Sequence, residues 1–339
     1  MKKPTIKDVA SLAGVSFKTV SRVVNNEAWV SEDIKARVQS AIAQLHYQPN
    51  RTARLMRTAP FSLAFVYDNP NSHYVIEMQT GILSQCRQKG FELVIHPTDS
   101  TSDQVRQELA NMIGSNQVGG VILTPPLSEN NDLVKELLAQ QAKVVRIVSG
   151  AVAPDDLCPT VYVDDEQAGF AITDYLLAQG HRRIAFLGYQ PAHRSSLGRY
   201  RGFCRAFAQA GMEPDPRHVL AGDFTFESGI EMATALLEQG SEVSAIFGCN
   251  DEIAAGALFA ARLHEIPVPG QWSIVGFEDS PFSRQTWPRL TTVHQPNAEI
   301  AASAARLLIS WMLDEPQEQN TEGFVLNLVK RDSVLPMLS

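Results

Sequence analysis

Lys18 and Arg22 stand four residues apart in the segment Phe17 to Asn25, where Val20, Val23 and Val24 recur at helical spacing. A helix there leaves Phe17, Lys18, Ser21 and Arg22 outside, and a lysine ammonium or arginine fork at its start can bond the O6 and N7 acceptors of guanine. A second set of polar and aromatic side chains falls near the ends of apolar runs much further along. Asn250-Asp251 follows Ala245–Phe247, Glu278-Asp279 follows Ser273–Phe277, His73 and Tyr74 follow Phe61–Tyr67, and Asp99-Ser100 follow Glu92–His96. Ser195 and Arg199 precede Gly202, and Phe224 follows Gly222-Asp223. Such groups read hydroxylated ligands: amides and carboxylates bond paired hydroxyls, arginine takes anionic or bidentate partners, and rings stack on sugar faces. Each also has a plainer reading. Asn250 could cap the helix that follows, Arg199 could be a solvated side chain near a helix start, Phe224 could pack in the core, and Trp287 could close a cleft or pack a crossover.

Catalytic and metal-binding patterns do not appear in the sequence. There is no HExxH or CxxC, and Cys86, Cys158, Cys204 and Cys249 are scattered, as reduced structural thiols would be. Val66-Tyr67-Asp68-Asn69-Pro70 stands where a nucleotide-binding glycine loop would follow the first strand, and no serine elbow is present. The expectation is therefore a binding protein, not an enzyme, with no cofactor and no metal.

The elements that would carry these residues differ between the two ends of the chain. Residues 5–13 place Ile6, Val9, Ala10 and Ala13 on one helical face with Thr5 as N-cap; Gly14 suits a left-handed turn and Ser16 caps the next helix. A third amphipathic helix runs from about Ser31 through Ile34, Val38, Ala41, Ile42 and Leu45. Three such helices around a glycine turn make an all-α helix-turn-helix unit, with Thr5, Ser16, Thr19 and Asn25 placed to hold phosphates. The charge agrees. Residues 1–60 hold ten Lys/Arg against four acids, a net of +6 on a chain whose total is −8, so the remainder carries −14. A basic head on an acidic body predicts a polyanion as partner of the head alone. Met1-Lys2-Lys3 leads into polar residues and no apolar run reaches membrane-spanning length, which predicts a cytoplasmic protein with no membrane partner.

After Pro60 the pattern changes to apolar strand-like runs alternating with helical ones: Phe61–Tyr67, Ile76–Lys89, Glu92–His96, Gln104–Ser115, Val118–Leu123, Leu133–Gln140 and Val144–Val148. The series restarts at Gly169–Gln179, Ile184–Leu187, Gly202–Gly211, Val219–Ala221, Phe226–Gln239, Ala245–Phe247, Asp251–His264 and Ser273–Phe277. Repeated βα units with strands apolar on both faces predict two doubly wound parallel sheets in two lobes, with ligand outside the strand C-termini between them.

Thr5-Ile6-Lys7-Asp8-Val9-Ala10, Ala13-Gly14-Val15-Ser16, Thr19-Val20-Ser21-Arg22-Val23-Val24-Asn25 and Tyr47-Gln48-Pro49-Asn50 resemble the headpiece of the LacI/GalR family of bacterial repressors. Gln179-Gly180-His181-Arg182-Arg183-Ile184-Ala185, Gly276-Phe277-Glu278-Asp279 and Leu290-Thr291-Thr292-Val293 resemble motifs of that family's two-lobed, type I periplasmic-binding-protein-like core. The resemblance implies a headpiece at 1–49, a hinge helix and linker at 50–60 and an effector-binding and dimerisation core at 61–339. Within the core it implies an N-lobe of about 61–160 and 293–320 and a C-lobe of about 161–290 and 322–339. It implies that Asn50, Arg51, Ala53, Arg54, Leu55 and Met56 lie in the minor groove, with Met56, or Leu55 beside it, wedged between base pairs. In the core it gives Asn250 and Arg199 effector-binding roles, makes Phe224 a stacking ring, and sets Glu278 where the family usually has Asp. The function so implied is a regulator, expected to repress, that binds a pseudo-palindromic operator and answers to a sugar or sugar derivative. No leucine heptads follow Val329-Lys330-Arg331, so a homodimer is expected. The alternative is a non-regulatory cytosolic binding protein built on the same body.

Overall fold

The computed structural model describes residues 5–24, 30–45, 61–69, 71–115, 118–316 and 319–337. The chain forms two compact units, 1–59 and 60–339. In the first, α1 (Ile6–Ala13), α2 (Phe17–Val24) and α3 (Glu32–Gln44) bury Val9, Ala10, Ala13, Val20, Val23, Val38 and Ala41 against one another. The Asp8 carboxylate accepts from Thr5 N and Oγ1, both at 2.7 Å, closing the start of α1. Gly14 ends α1 at φ 63°, and a Cβ there would also sit 2.9 Å from Nη2 of Arg37, whose guanidinium bonds Ala13 O at 2.6 Å. Ser16 Oγ accepts from Thr19 N and so starts α2.

The second unit has two lobes. The first holds β1 (Ser62–Tyr67), α4 (Ser72–Lys89), β2 (Glu92–Pro97), α5 (Val105–Gly114), β3 (Gly120–Leu123), α6 (Asn131–Ala139), β4 (Lys143–Ser149) and β5 (Thr160–Val163). The second holds α7 (Asp165–Ala178), β6 (Ile184–Tyr189), α8 (Arg194–Gln209), β7 (Val219–Ala221), α9 (Phe226–Glu238), β8 (Ala245–Gly248), α10 (Asp251–Leu263), β9 (Ser273–Val275), α11 (Pro281–Gln285) and β10 (Thr292–His294). The chain then returns to the first lobe as α12 (Asn297–Met312) and β11 (Thr321–Phe324), and crosses once more into β12 (Asn327–Val329). The parallel six-stranded sheet runs β11-β5-β4-β3-β1-β2 and the parallel four-stranded sheet runs β7-β6-β8-β9. β10 pairs antiparallel with β12 and touches the second sheet through the Val275–Thr291 and Glu278–His294 bridges.

The lobe boundaries move slightly from those expected at about 160, 290 and 320. β5 and β11 pair in the first sheet, while β10 stays with the second, so the crossings follow Val163, His294 and Phe324. Strand pairing decides this: a crossing cannot fall inside a strand whose backbone groups are committed to a sheet. Arg146 is buried in the middle of β4, where Asp155, Asn131 and Thr160 surround its guanidinium.

Helices α7 and α8 of the second lobe pack closer than a side chain at the contact would allow. A Cβ on Gly169 of α7 would fall 2.3 Å from Arg199 O, and one on Gly202 of α8 would fall 2.1 Å from Glu166 O. Glycine is needed at both positions for lack of space, not for a turn. Gly202→Ala should therefore cost about 1–3 kcal/mol in chemical denaturation by forcing α7 and α8 apart. Gly114→Ala, where nothing lies within 4 Å, should be neutral or stabilise by up to about 1 kcal/mol. Equal losses in the two variants would contradict the close-packing account.

Candidate functional site

In the first unit, α2 turns Val20 and Val23 inward and leaves Phe17, Lys18 and Arg22 exposed, with Thr19 and Ser21 half-buried. Lys18 and Arg22 lie one turn apart on the open side, and Thr5 and Ser16 are exposed as well. A helix start with two long cations, a hydroxyl and a 57% exposed phenylalanine is poor packing material but a suitable groove reader. Asn25, Asn50, Arg51, Ala53, Arg54, Leu55 and Met56 lie outside the described residues.

In the second unit the C-terminal ends of both parallel sheets open on one cavity. From the first lobe come Asp68, Asn69, Asn71 and Tyr74 after β1, Pro125 after β3, and Ser149 at the end of β4. From the second come Asp165, His193, Ser195, Arg199, Phe224, Asn250 and Glu278, with Gln295 from the crossover. Six of the seven proposed ligand residues thus meet: Tyr74, Ser195, Arg199, Phe224, Asn250 and Glu278. His73 does not. Helix α4 begins at Ser72, not near Ile76, because Asn71 Oδ1 caps it through Tyr74 N at 3.0 Å, and this turns Tyr74 into the cavity and His73 toward Glu77 at 3.3 Å. Asp99 and Ser100 stay outside the lining too; Ser100 donates to Asp68 through N and Oγ. Trp287 is 77% exposed and borders a separate apolar groove with Phe226, Leu258, Phe259 and Phe282. It neither closes the cleft nor packs a crossover.

Arg199 is not the solvated arginine of the plainer reading. It is 5% exposed, its Nε donates to Asp165 Oδ1 at 2.8 Å, its Nη1 donates to Cys249 O at 2.6 Å, and its guanidinium lies 3.6 Å above the Phe277 ring. Burial presses the Asp165 carboxyl upward and the guanidinium opposes it; the contact keeps both as charges, since protonating one leaves the other bare. Asn250 combines its two readings. Oδ1 caps α10 through Ile253 N at 2.8 Å, while Nδ2 donates to Phe224 O at 3.0 Å and so fixes the loop that carries the ring. Phe224 meets His193 edge-on at 5.4 Å.

Glu278 takes a positive φ of 102°, which aims its side chain across the cleft, where Asn71 Nδ2 donates to it at 3.3 Å. Burial raises its carboxyl to about 8, with Arg199 opposing. Burial likewise raises Glu129, which accepts from Ser149 N at the cavity wall, to about 7. Asp251 rises by burial to about 7 while bonding Thr292 Oγ1 and Ser280 N; a Cβ on Gly276 would lie 2.1 Å from its Oδ1. Asp279 is engaged by Arg331, Arg284 and His294 and does not line the cavity. The residues missed by sequence reasoning, chiefly Asp68, Asn71, Asp165 and Gln295, sit in caps and loop ends without apolar periodicity to mark them.

The domain model of the bacterial regulatory proteins of the lacI family matches residues 5–50, and that of the periplasmic binding protein-like domain matches residues 173–334. The chain is 31% identical over 334 residues to the HTH-type transcriptional repressor PurR of Mannheimia succiniciproducens, covering 97% of this chain and 98% of that one. Its fold is similar to that of the transcriptional regulator CelR in complex with cellobiose (TM-score 0.74, 29% identity, 97% and 99% coverage). It is also similar to the lac repressor dimer bound to operator and the anti-inducer ONPF (TM-score 0.72, 25% identity, 98% and 100% coverage).

Two outcomes follow for the buried groups. Arg199→Ala should destabilise by about 3–5 kcal/mol by stranding the Asp165 charge, and adding Asp165→Ala should recover much of that loss in a double-mutant cycle. Glu278, Asp251 and Glu129 release protons on unfolding at pH values where the folded chain still holds them. Their contribution is full below about pH 4 and lost as pH rises through 7–8. The melting temperature of the ligand-free protein should carry that falling slope, and Glu278→Gln should reduce it.

Proposed function

The chain belongs to the LacI family of bacterial regulatory proteins and is a DNA-binding transcriptional repressor with an effector-binding domain, and from that premise we propose that it binds a pseudo-palindromic operator as a homodimer under control of a sugar-like effector. One observation carries the effector half: the cavity draws polar side chains from both lobes, so a ligand bonding Tyr74 or Asn71 on one side and Arg199, Asn250 or Glu278 on the other ties lobe spacing to occupancy. Its volume of about 90 Å³ is below the roughly 300 Å³ of ordinary small-molecule pockets, so a sugar needs the lobes to part on binding. An effector shifts the operator equilibrium only by its difference in affinity for the two lobe arrangements, commonly about 1–3 kcal/mol. The cellobiose complex of the related regulator supports a hydroxylated ligand, as do the amide, carboxyl and aromatic groups of this cleft.

For the DNA half, Lys18 and Arg22 are proposed to read bases with Phe17 and Ser21, while Thr5, Ser16, Thr19 and Asn25 hold phosphates. Asn50, Arg51, Ala53, Arg54, Leu55 and Met56 are proposed to enter the minor groove. The apolar face formed by Phe259, Leu263 and Trp287, exposed by 43%, 62% and 77%, is proposed to meet a second copy, an assembly that the lac repressor dimer supports by likeness.

Fluorescence anisotropy with the gene's own upstream DNA tests the reading. The wild type should bind in a salt-dependent way and respond to a disaccharide panel that includes cellobiose. Arg22→Ala should lose about 1–3 kcal/mol of discrimination over scrambled DNA. Unchanged discrimination would remove Arg22 from the base-reading set. Trp287→Asp should lower the mass measured by light scattering to that of a monomer; an unchanged dimer would place the interface elsewhere.

A further inference from the structure

The described residues that line the cleft include three carboxyl groups, Asp68, Asp165 and Glu278, and one guanidinium, Arg199. An arginine in a ligand cleft ordinarily invites phosphate or carboxylate, which match its fork. Here the fork is already engaged at Nε and Nη1. Asp165 is 3% exposed and bonds Nε at 2.8 Å, Cys249 O bonds Nη1 at 2.6 Å, and Phe277 covers one face of the guanidinium. The rest of the lining is rich in acceptors. Gln295 is 8% exposed; its Nε2 donates to Asn297 Oδ1 at 2.7 Å, while its buried Oε1 has no partner, beside Glu278, whose backbone O accepts from Gln295 N at 3.3 Å. Among the described residues, the donors to Asp68 are the neutral N and Oγ of Ser100. An anion placed there would face the Asp68 carboxylate and the unpartnered Gln295 Oε1, with no uncommitted cation among the described lining residues to receive it.

We propose that Asp165 sets the charge specificity of the cleft: by holding Arg199 in a closed ion pair it turns away phosphorylated and carboxylated ligands and leaves a site for uncharged polyols, whose hydroxyls donate to Glu278, Asp68 and Gln295 Oε1. This rests on the reading of the cleft as an effector site and adds the class of effector. Asp165 acts as a specificity determinant through Arg199, not as a direct contact. Asparagine is nearly isosteric and still accepts from Nε, so Asp165→Asn keeps the geometry while unmasking the positive charge.

The experiment uses the full chain, with thermal shift and calorimetry at neutral pH. The probes are inorganic phosphate and the matched sets glucose, glucose 6-phosphate and gluconate, and cellobiose with cellobionate. Wild type should show no saturable response to phosphate at millimolar concentration, and in any set that binds, the uncharged member should lead by at least tenfold. Asp165→Asn should gain at least tenfold in phosphate affinity, and Asp165→Asn/Arg199→Gln should lose that gain. A phosphorylated or carboxylated member that leads its set in wild type overturns the proposal, as does an Asp165→Asn protein that folds and gains nothing. Should the variants fail to fold, the wild-type arm decides alone: phosphate binding there refutes the proposal, and its absence supports it. Gained phosphate binding with no sugar response in any set would uphold the charge rule while sinking the sugar reading. Equal binding of neutral and anionic sugars would do the reverse.

Discussion

A guanidinium and a carboxylate taken out of water together hold the second lobe's side of the cleft in place. Each ion alone would carry a desolvation penalty of several kcal/mol, and only contact at 2.8 Å with further hydrogen bonds makes their burial tolerable. That contact demands that α7 and α8, which bring Asp165 and Arg199, lie almost backbone to backbone. Gly169 and Gly202 permit this, since any side chain there would strike the opposite main chain. The pair in turn fixes Cys249 O at the end of β8, and with it Asn250 and the start of α10. The cleft geometry therefore descends from one ion pair and two absent side chains.

The parts of the fold legible in the sequence were those with a repeating apolar face. Strands β1, β6 and β8 were readable to within a residue or two at their starts, and so were the cores of α9 and α10, because burial on both faces leaves an unbroken apolar run. The beginnings of α7 and α8 were not. Helix α8 starts at Arg194, where the sequence pattern suggested Gly202; α7 starts at Asp165, where it suggested Gly169. In each case the first turns are polar because they face the cleft, so the signal that marks a helix disappears where ligand groups are carried. The same effect hid the ion pair and placed His73 instead of Asn71 at the site.

Other features depend on pairings that no local pattern shows. Strand β5 and the later β11 and β12 are short, and the sheet that each joins is decided by distant partners: Thr321 pairs with Thr160 across more than a hundred residues, and Val329 with Thr292. Residues singled out by likeness to known repressors fared better in the core: Arg199, Phe224, Asn250 and Glu278 converge on one cavity. Glu278, where the resemblance expects Asp, keeps a carboxyl at the wall.

Asn250 carries an implication for how this scaffold can diverge. Its side chain is spoken for twice, at the N-terminus of α10 and at the Phe224 carbonyl, before any ligand arrives. A replacement selected for a new effector would uncap a helix, at a loss of about 1 kcal/mol, and release the loop that carries the ring. Drift in ligand preference should therefore be channelled through positions without such double duty, such as Ser195 and the Phe224 side chain itself. Over evolutionary time the floor of the cleft would stay fixed while its walls are rewritten.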